Sequence, residues 1–140
     1  MKAIVFILWL AAGACVQAIN ERFEVHPMRQ LLNVINEFRA QHDVSALTWN
    51  KTLTHKETQH SSVFKVDDTH VPTIDLVVIA VNSWYNEGHQ GNQGCRTDYD
   101  RMVSDVPKQI GCGLNNTGND YVVLFCNYDP PVVIPANCFE

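Results

Sequence analysis

The cysteines are the most reactive side chains in this sequence, and their spacing bears on two kinds of chemistry. The chain has five, at positions 15, 95, 112, 126 and 138. A structural zinc site would need closely spaced Cys or His pairs, whereas the last four cysteines are dispersed. In a small exported domain, four cysteines indicate two disulfides, for which three connectivities are possible.

The remaining reactive residues do not form a catalytic set that can be recognised from the sequence. His55 and His60 lie five positions apart and do not share a helix face closely, and His26 has no ligand partner at a suitable spacing. No Gly-x-Ser-x-Gly nucleophile elbow is present. Because the cysteines are better used in disulfides, no Ser-His-Asp or Cys-His arrangement can be nominated, and we predict no catalytic residue.

The N-terminus has the layout of a cleavable signal peptide. Lys2 precedes an apolar segment at 3–12, and small residues occupy positions 16 and 18. We predict a signal peptide at 1–18 and a single domain at 19–140, since 140 residues suffice for one core. The apolar segment is shorter than the roughly 20 residues of a membrane-spanning helix. The sequence therefore predicts a secreted, extracellular protein without a transmembrane segment.

The charge balance argues against one class of partner. Removing the predicted signal peptide deletes Lys2 and no acid, which changes the net charge from -5 to -6. An acidic surface repels phosphate backbones, and no basic run offsets it. We therefore expect no nucleic-acid partner.

Three helices are predicted before the cysteine-containing half of the chain. Apolar residues at helical spacing predict the first at 28–42, with Pro27 at its start and Arg39 among the polar positions. The second is predicted at 51–64, with Leu53 as its clearest core residue and a weak capping box at Thr54 and Glu57. A third is expected at 73–87, capped by Thr73. A Gly/Asn/Gln-rich connection follows at 88–94.

The last third of the chain predicts a hairpin. The segment Ile110-Gly111-Cys112-Gly113 and the apolar run 121–129 flank an Asn/Gly-rich turn at 115–119, and Pro130 ends the run. An antiparallel hairpin would bring Cys112 next to Cys126, which favours that disulfide and leaves Cys95 for Cys138.

Several motifs in this sequence resemble those of the CAP superfamily, which includes cysteine-rich secretory proteins, venom allergens and plant pathogenesis-related proteins. They are Arg39-x-x-His42 followed by Leu47-x-Trp49, the segment Trp84-Tyr85-Asn86-Glu87, and the cysteine-containing block at 110–131. The resemblance implies an α+β fold, a three-layer α-β-α sandwich with a central antiparallel sheet. It also implies that His42 and Trp49 are core or packing residues.

The resemblance also implies a cleft with two His and two Glu side chains, which holds a divalent metal in several members. His70 and Glu87 match one position of each type. Ile74 stands where the other Glu is expected, and Asp98 where the other His is expected. The cleft is therefore degenerate, and we expect no cofactor. His70, Glu87 and Asp98, with His89 nearby, remain candidate ligands for a metal such as zinc.

Two sequons predict N-glycosylation, Asn50-Lys51-Thr52 and Asn115-Asn116-Thr117. Asn115 lies near the predicted turn and is expected to be exposed. Asn50 could instead serve as a helix N-cap, which would occupy the same side chain.

These observations favour an extracellular binding module over an enzyme, with an unidentified extracellular protein as its partner. A carrier of sterol or another small apolar ligand is the first alternative, although the short segment between His70 and Thr73 should narrow its groove. A metal-dependent extracellular hydrolase is the second, and it requires His70, Glu87 and Asp98 to converge.

Overall fold

The computed structural model describes residues 26–67, 70–89, 95–116 and 121–139. The predicted signal peptide and positions 90–94 of the predicted connection lie outside these ranges. Within them, no helix combines the length and apolar character that crossing a membrane requires.

Helix α1 spans Pro27–Gln41, α2 spans Thr73–Asn86 and α3 spans Thr97–Val103. The first two confirm the periodicity predictions, including Pro27 in the first turn of α1. Thr73 does not cap α2, because the N-cap position is Pro72, which makes no side-chain cap bond. The carbonyl of Pro72 instead accepts bonds from the amides of Asp75 and Leu76.

Four strands form one mixed sheet in the order β1-β3-β4-β2. Their bounds are Thr48–Trp49 for β1, Ser62–Val66 for β2, Gln109–Asn116 for β3 and Val122–Asp129 for β4. The β3-β4 and β4-β2 pairs are antiparallel, while the short β1 runs parallel to β3. The predicted hairpin is confirmed, although β3 continues through Asn115 and Asn116, which we expected in the turn.

Both predicted disulfides are present in the structure. Cys112 lies directly opposite Cys126 in the β3-β4 ladder and is bonded to it. Cys95, just before α3, is bonded to Cys138 in a C-terminal 3₁₀ turn at Ala136–Phe139. The two bridges therefore fix the hairpin and the end of the chain separately.

The helix predicted at 51–64 is wrong. Only Lys51–Thr54 forms a 3₁₀ turn, and Ser62–Val66 forms strand β2. The segment has too few apolar residues at helical spacing to bury a helix face. Its end instead alternates between covered and exposed side chains and pairs in register with β4. Thr54 bonds back to the carbonyl of Lys51, so the predicted capping box does not form.

The sheet separates two unequal layers. One face packs against the three helices and forms the core, which includes Leu31, Ile35, Val77, Val81, Trp84, Met102, Ile110, Leu124 and Cys126. The other face is covered by the 3₁₀ turn Lys51–Thr54, whose Leu53 lies against Gly111 of β3. The predicted layered α+β sandwich is therefore confirmed, with a short turn and loop as one of its outer layers.

Candidate functional site

Glu87 directly follows α2 and contacts the first turn of α3. Its Oε2 accepts backbone N–H groups from Asp98 at 3.1 Å and Tyr99 at 3.2 Å. The first amides of a helix have no partner within the helix, so a carboxylate there satisfies them. Half-buried Glu87 thus anchors the start of α3 to the end of α2.

Asp98 is paired with a buried cation from its own helix. Arg101 Nη1 lies 3.2 Å from Asp98 Oδ1 and also donates to the carbonyl of Ser61 at 3.0 Å. Arg101 is only 3% exposed. Breaking a buried pair leaves an uncompensated charge, so this contact constrains both side chains.

The two carboxyl groups share one electrostatic environment. Burial raises the pKa of Glu87 and the negative charge of Asp98 raises it further, while the amides of Tyr99 and Asp98 and the charge of Arg101 oppose this effect. Burial likewise raises the pKa of Asp98, against the Ser62 hydroxyl and Arg101, which lower it. The guanidinium of Arg101 therefore supplies positive charge beside both carboxylates.

His70 lies in a different setting, just before α2. It is exposed and borders a groove of about 700 Å³ that Ile74, Asp75 and Gln30 also line. Ile74 is 39% exposed and its side chain offers no ligand atom. Among the described ranges, no group of three His, Cys, Asp or Glu side chains could hold a metal ion. The structure thus brings Glu87 and Asp98 together without assembling them with His70.

The donors present suit a metal ion poorly, because both carboxylates already have partners. Glu87 is bonded to two amides, and Asp98 is bonded to Arg101. A zinc ion at this point would lie beside a guanidinium that it could not displace without leaving a buried charge unpaired. The assignment of His70, Glu87 and Asp98 as metal ligands stays a prediction.

An aromatic face next to Glu87 was not predicted from the sequence. We define it as Phe38, His42, Tyr85, Arg96 and Tyr99. The rings of Phe38 and Tyr85 stack at 3.9 Å, and those of Tyr85 and Tyr99 lie 5.5 Å apart. The Arg96 guanidinium lies 5.3 Å from the centre of the Tyr99 ring. No sequence spacing groups these residues, because they come from α1, α2 and the start of α3.

His42 does not lie in the core, because its side chain is exposed at the end of α1, but its ring packs against neighbouring tyrosines. Its Nε2 lies 2.9 Å from the Tyr85 hydroxyl, and its ring meets Tyr99 edge-on at 5.9 Å. Trp49 is partly buried against the core, as expected of a packing residue. Gly88 lies so close to the Tyr99 ring that a Cβ at this position would clash with it.

The two sequon asparagines differ in their surroundings. The Asn50 Oδ1 accepts the Thr52 amide at 2.9 Å and its Nδ2 donates to Gln109 at 2.9 Å, so its predicted role as an N-cap is confirmed. Asn115 is exposed on β3. Glycosylation of either residue stays a prediction.

Comparisons with known proteins agree with the fold and the sequence motifs. A profile of the cysteine-rich secretory protein family, CAP, matches residues 65–128. A search of curated protein sequences found no match.

Three crystal structures with low sequence identity share the fold. MpPR-1i soaked with selenourea is 18% identical, with a TM-score of 0.54 over 76% of this chain and 92% of its own. The hookworm platelet inhibitor is 17% identical, with a TM-score of 0.60 over 75% and 69%. NaASP2 with Zn²⁺ is 14% identical, with a TM-score of 0.62 over 73% and 78%.

Proposed function

Because this chain belongs to the CAP superfamily, we propose that it is an extracellular protein-binding module rather than an enzyme. The observation that carries the proposal is the use of both cleft carboxylates within the fold. Glu87 holds the first amides of α3, and Asp98 is paired with Arg101. Both carboxylates thus take part in contacts that position α3.

The aromatic face supplies the contact surface that the proposal needs. Tyrosine and arginine are enriched where proteins bind one another, since they offer large contact areas together with hydrogen bonds. The ring contacts of Tyr85 with Phe38 and Tyr99 hold this face in one conformation before binding. Less side-chain entropy is then lost when a partner associates.

The two disulfides support action outside the cell, where oxidising conditions preserve such bonds. One protein of the same fold is named a platelet inhibitor, and this name is in keeping with a function exerted by binding.

The test combines native mass spectrometry with partner capture. We expect the protein, purified without chelators, to have the mass of the chain with two disulfides and any glycan, with no divalent ion added. The immobilised protein should retain an extracellular partner that a His42→Ala, Arg96→Ala variant loses and that a Lys108→Ala control keeps. Zinc binding that is abolished by Glu87→Gln would overturn the proposal. Retention of the partner by the His42→Ala, Arg96→Ala variant would also overturn it.

A second candidate function is transport of a sterol, favoured by the groove of about 700 Å³ beside α2. Its apolar lining includes Ile74 and Ile79, which are 39% and 51% exposed. Binding of a fluorescent sterol that Ile79→Asp abolishes would support this function. No binding by the folded protein would exclude it.

A further inference from the structure

A cavity of about 390 Å³ lies beside Asn115 of β3, on a part of the molecule that the proposed function does not use. Asn115 is exposed and is itself one of the bordering residues. The others come from the end of the turn Lys51–Thr54, from the residues that follow it and from the hairpin. They are Thr54, His55, Lys56, Glu57, Leu114 and Phe125.

Strand geometry explains why Asn115 borders this cavity. Gly113 faces the turn, since a Cβ at this position would be 2.7 Å from the carbonyl oxygen of Thr54. Side chains two positions apart on a strand point to the same face, so Asn115 also faces the turn side of the sheet. Phe125 is the cross-strand partner of Gly113 and is 4% exposed. The sequon asparagine thus lies between an aromatic side chain and the segment after the turn.

The chemistry of the cavity wall suits an uncharged, polar ligand. Lys56 and Glu57 carry opposite charges, so neither an anion nor a cation is favoured by both. Together with the hydroxyl of Thr54 and the imidazole of His55, they offer hydrogen-bond donors and acceptors. Phe125 adds apolar surface. A sugar ring presents the same combination, with hydroxyl groups around its rim and C–H groups on its faces.

The wall is held in place by hydrogen bonds from the sheet and within the turn. Asn127 of β4 is 7% exposed, and its Nδ2 donates to the carbonyls of Leu53 at 2.9 Å and Lys56 at 2.7 Å. The Thr54 hydroxyl donates to the carbonyl of Lys51 at 2.7 Å. These bonds fix the main chain that forms the wall, and a preformed wall lowers the entropy cost of binding.

We propose that Asn115 carries an N-linked glycan and that its first N-acetylglucosamine lies in this cavity. The sequon at 115–117 supplies the acceptor. In the transfer, Asn115 Nδ2 displaces the diphosphate of a lipid-linked oligosaccharide from C1 of the sugar. A C–N bond replaces the C–O bond to the phosphate, and the amide loses one proton. Because the attached sugar is tethered beside the cavity, contacts too weak to bind a free sugar suffice to hold it there.

The full chain secreted from eukaryotic cells, compared with its Asn115→Gln variant, tests both attachment and placement. Peptide mass spectrometry should find the glycan on Asn115. The glycosylated protein should melt about 3 °C above Asn115→Gln, and the amides of 54–57 should exchange at least about threefold more slowly. An endoglycosidase that leaves a single N-acetylglucosamine should change neither value, because the first sugar occupies the cavity. An unmodified Asn115, or loss of both effects on trimming, would overturn the proposal.

A double variant of the wall, His55→Ala with Glu57→Ala, removes two exposed polar side chains from the cavity. In this background the glycosylated protein and its Asn115→Gln counterpart should melt within about 1 °C of each other. The matched control is Gln59→Ala with His60→Ala, at exposed positions of the same segment that do not border this cavity. It should keep the full difference. If the wall variant kept the difference as well, the sugar would lie elsewhere and the proposal would be wrong. None of these outcomes affects partner capture through the aromatic face.

Discussion

Arg39 joins helix α1 to the segment that precedes β3. It is 1% exposed and donates to four backbone carbonyls. Its Nε reaches Ser45 at 2.8 Å, Nη1 reaches Met102 at 2.8 Å and Ser104 at 2.7 Å, and Nη2 reaches Pro107 at 3.4 Å. The helical pattern placed Arg39 among the polar positions of α1. Its burial could not be predicted, because these carbonyls are brought together only by the fold.

Replacing Arg39 with lysine should destabilise the folded state although the charge is kept. A lysine ammonium is a single point and cannot reproduce the fork that reaches four carbonyls. We expect a loss of about 3 kcal/mol in the free energy of unfolding, measured by urea denaturation. Arg29→Lys, at an exposed position of the same helix, should change it by less than about 0.5 kcal/mol. Equal stability of the two variants would show that the bonds of Arg39 contribute little.

Glu87 and Asp98 should make stability depend on pH. The folded state raises the pKa of both carboxyl groups from their ordinary values of 4.5 and 3.8. The folded chain therefore holds protons at a pH where the unfolded chain has released them, and this contribution lowers stability as pH rises through the raised pKa values. The direction is opposite to that of a carboxylate whose pKa folding depresses.

Glu87→Gln should remove part of this dependence, since the glutamine oxygen can still accept the two amides but carries no charge. The stability of the variant relative to wild type should rise between about pH 4 and pH 7, as measured by urea denaturation at each pH. Glu37→Gln, at an exposed position of α1, serves as the control. A constant difference between Glu87→Gln and wild type across this range would contradict the inferred shift.

At the scale of the elements, two glycines of β3 let the turn Lys51–Thr54 lie directly on the sheet. A Cβ at Gly111 would be 2.5 Å from the Asn50 carbonyl oxygen and 2.6 Å from the Leu53 Cβ. At Gly113 it would be 2.7 Å from the carbonyl oxygen of Thr54. These close approaches explain the Gly-Cys-Gly spacing, in which Cys112 faces the core and the glycines face the turn.

Gly111→Ala should therefore push the turn away from the sheet. The neighbouring atoms are backbone and a side-chain root, which cannot rotate aside, so we expect a loss of about 2 kcal/mol in a thermal or urea unfolding experiment. Leu114→Ala, at a position on the same strand that is 41% exposed, should cost less than about 0.5 kcal/mol. If Gly111→Ala were as stable as the wild type, the turn would not be packed as described.

Elements with strong local patterns were predictable, and those that depend on distant pairing were not. Helices α1 and α2 carry apolar residues at helical spacing, and the hairpin has a long apolar strand and a turn. Strand β2 has neither signal, and it forms because its backbone pairs with β4, more than fifty residues away. In the candidate cleft, Glu87 and Asp98 were identified by type. Asp98 pairs with Arg101 three positions later on its own helix, whereas the bonds of Glu87 to the first amides of α3 depend on how α2 and α3 meet.

At the scale of the whole molecule, the Cys95–Cys138 disulfide joins the start of α3 to the C-terminal segment. It closes a loop of 43 positions, which raises the free energy of unfolding by about 4 kcal/mol in the chain-entropy model. The segment 131–136 has no strand partner and borders a cavity of about 590 Å³ together with Gln59 and His60. The bridge therefore ties this segment to the start of α3 in the folded state as well as limiting the unfolded chain.

Replacing Cys95 and Cys138 with serine should lower stability and loosen the segment 131–136. We expect a loss of about 4 kcal/mol in the free energy of unfolding. We also expect faster amide hydrogen exchange in this segment, because it is no longer tied to the start of α3. The matched control is the Cys112→Ala, Cys126→Ala variant, which loses the other disulfide and about 3 kcal/mol but keeps the C-terminal segment tied to α3. Hydrogen exchange of the two variants is compared at a temperature where circular dichroism shows each to be folded. Equal exchange of the segment in both variants would mean that it holds its position without the Cys95–Cys138 bridge, whereas faster exchange confined to the Cys95, Cys138 variant would show that this disulfide orders the end of the chain.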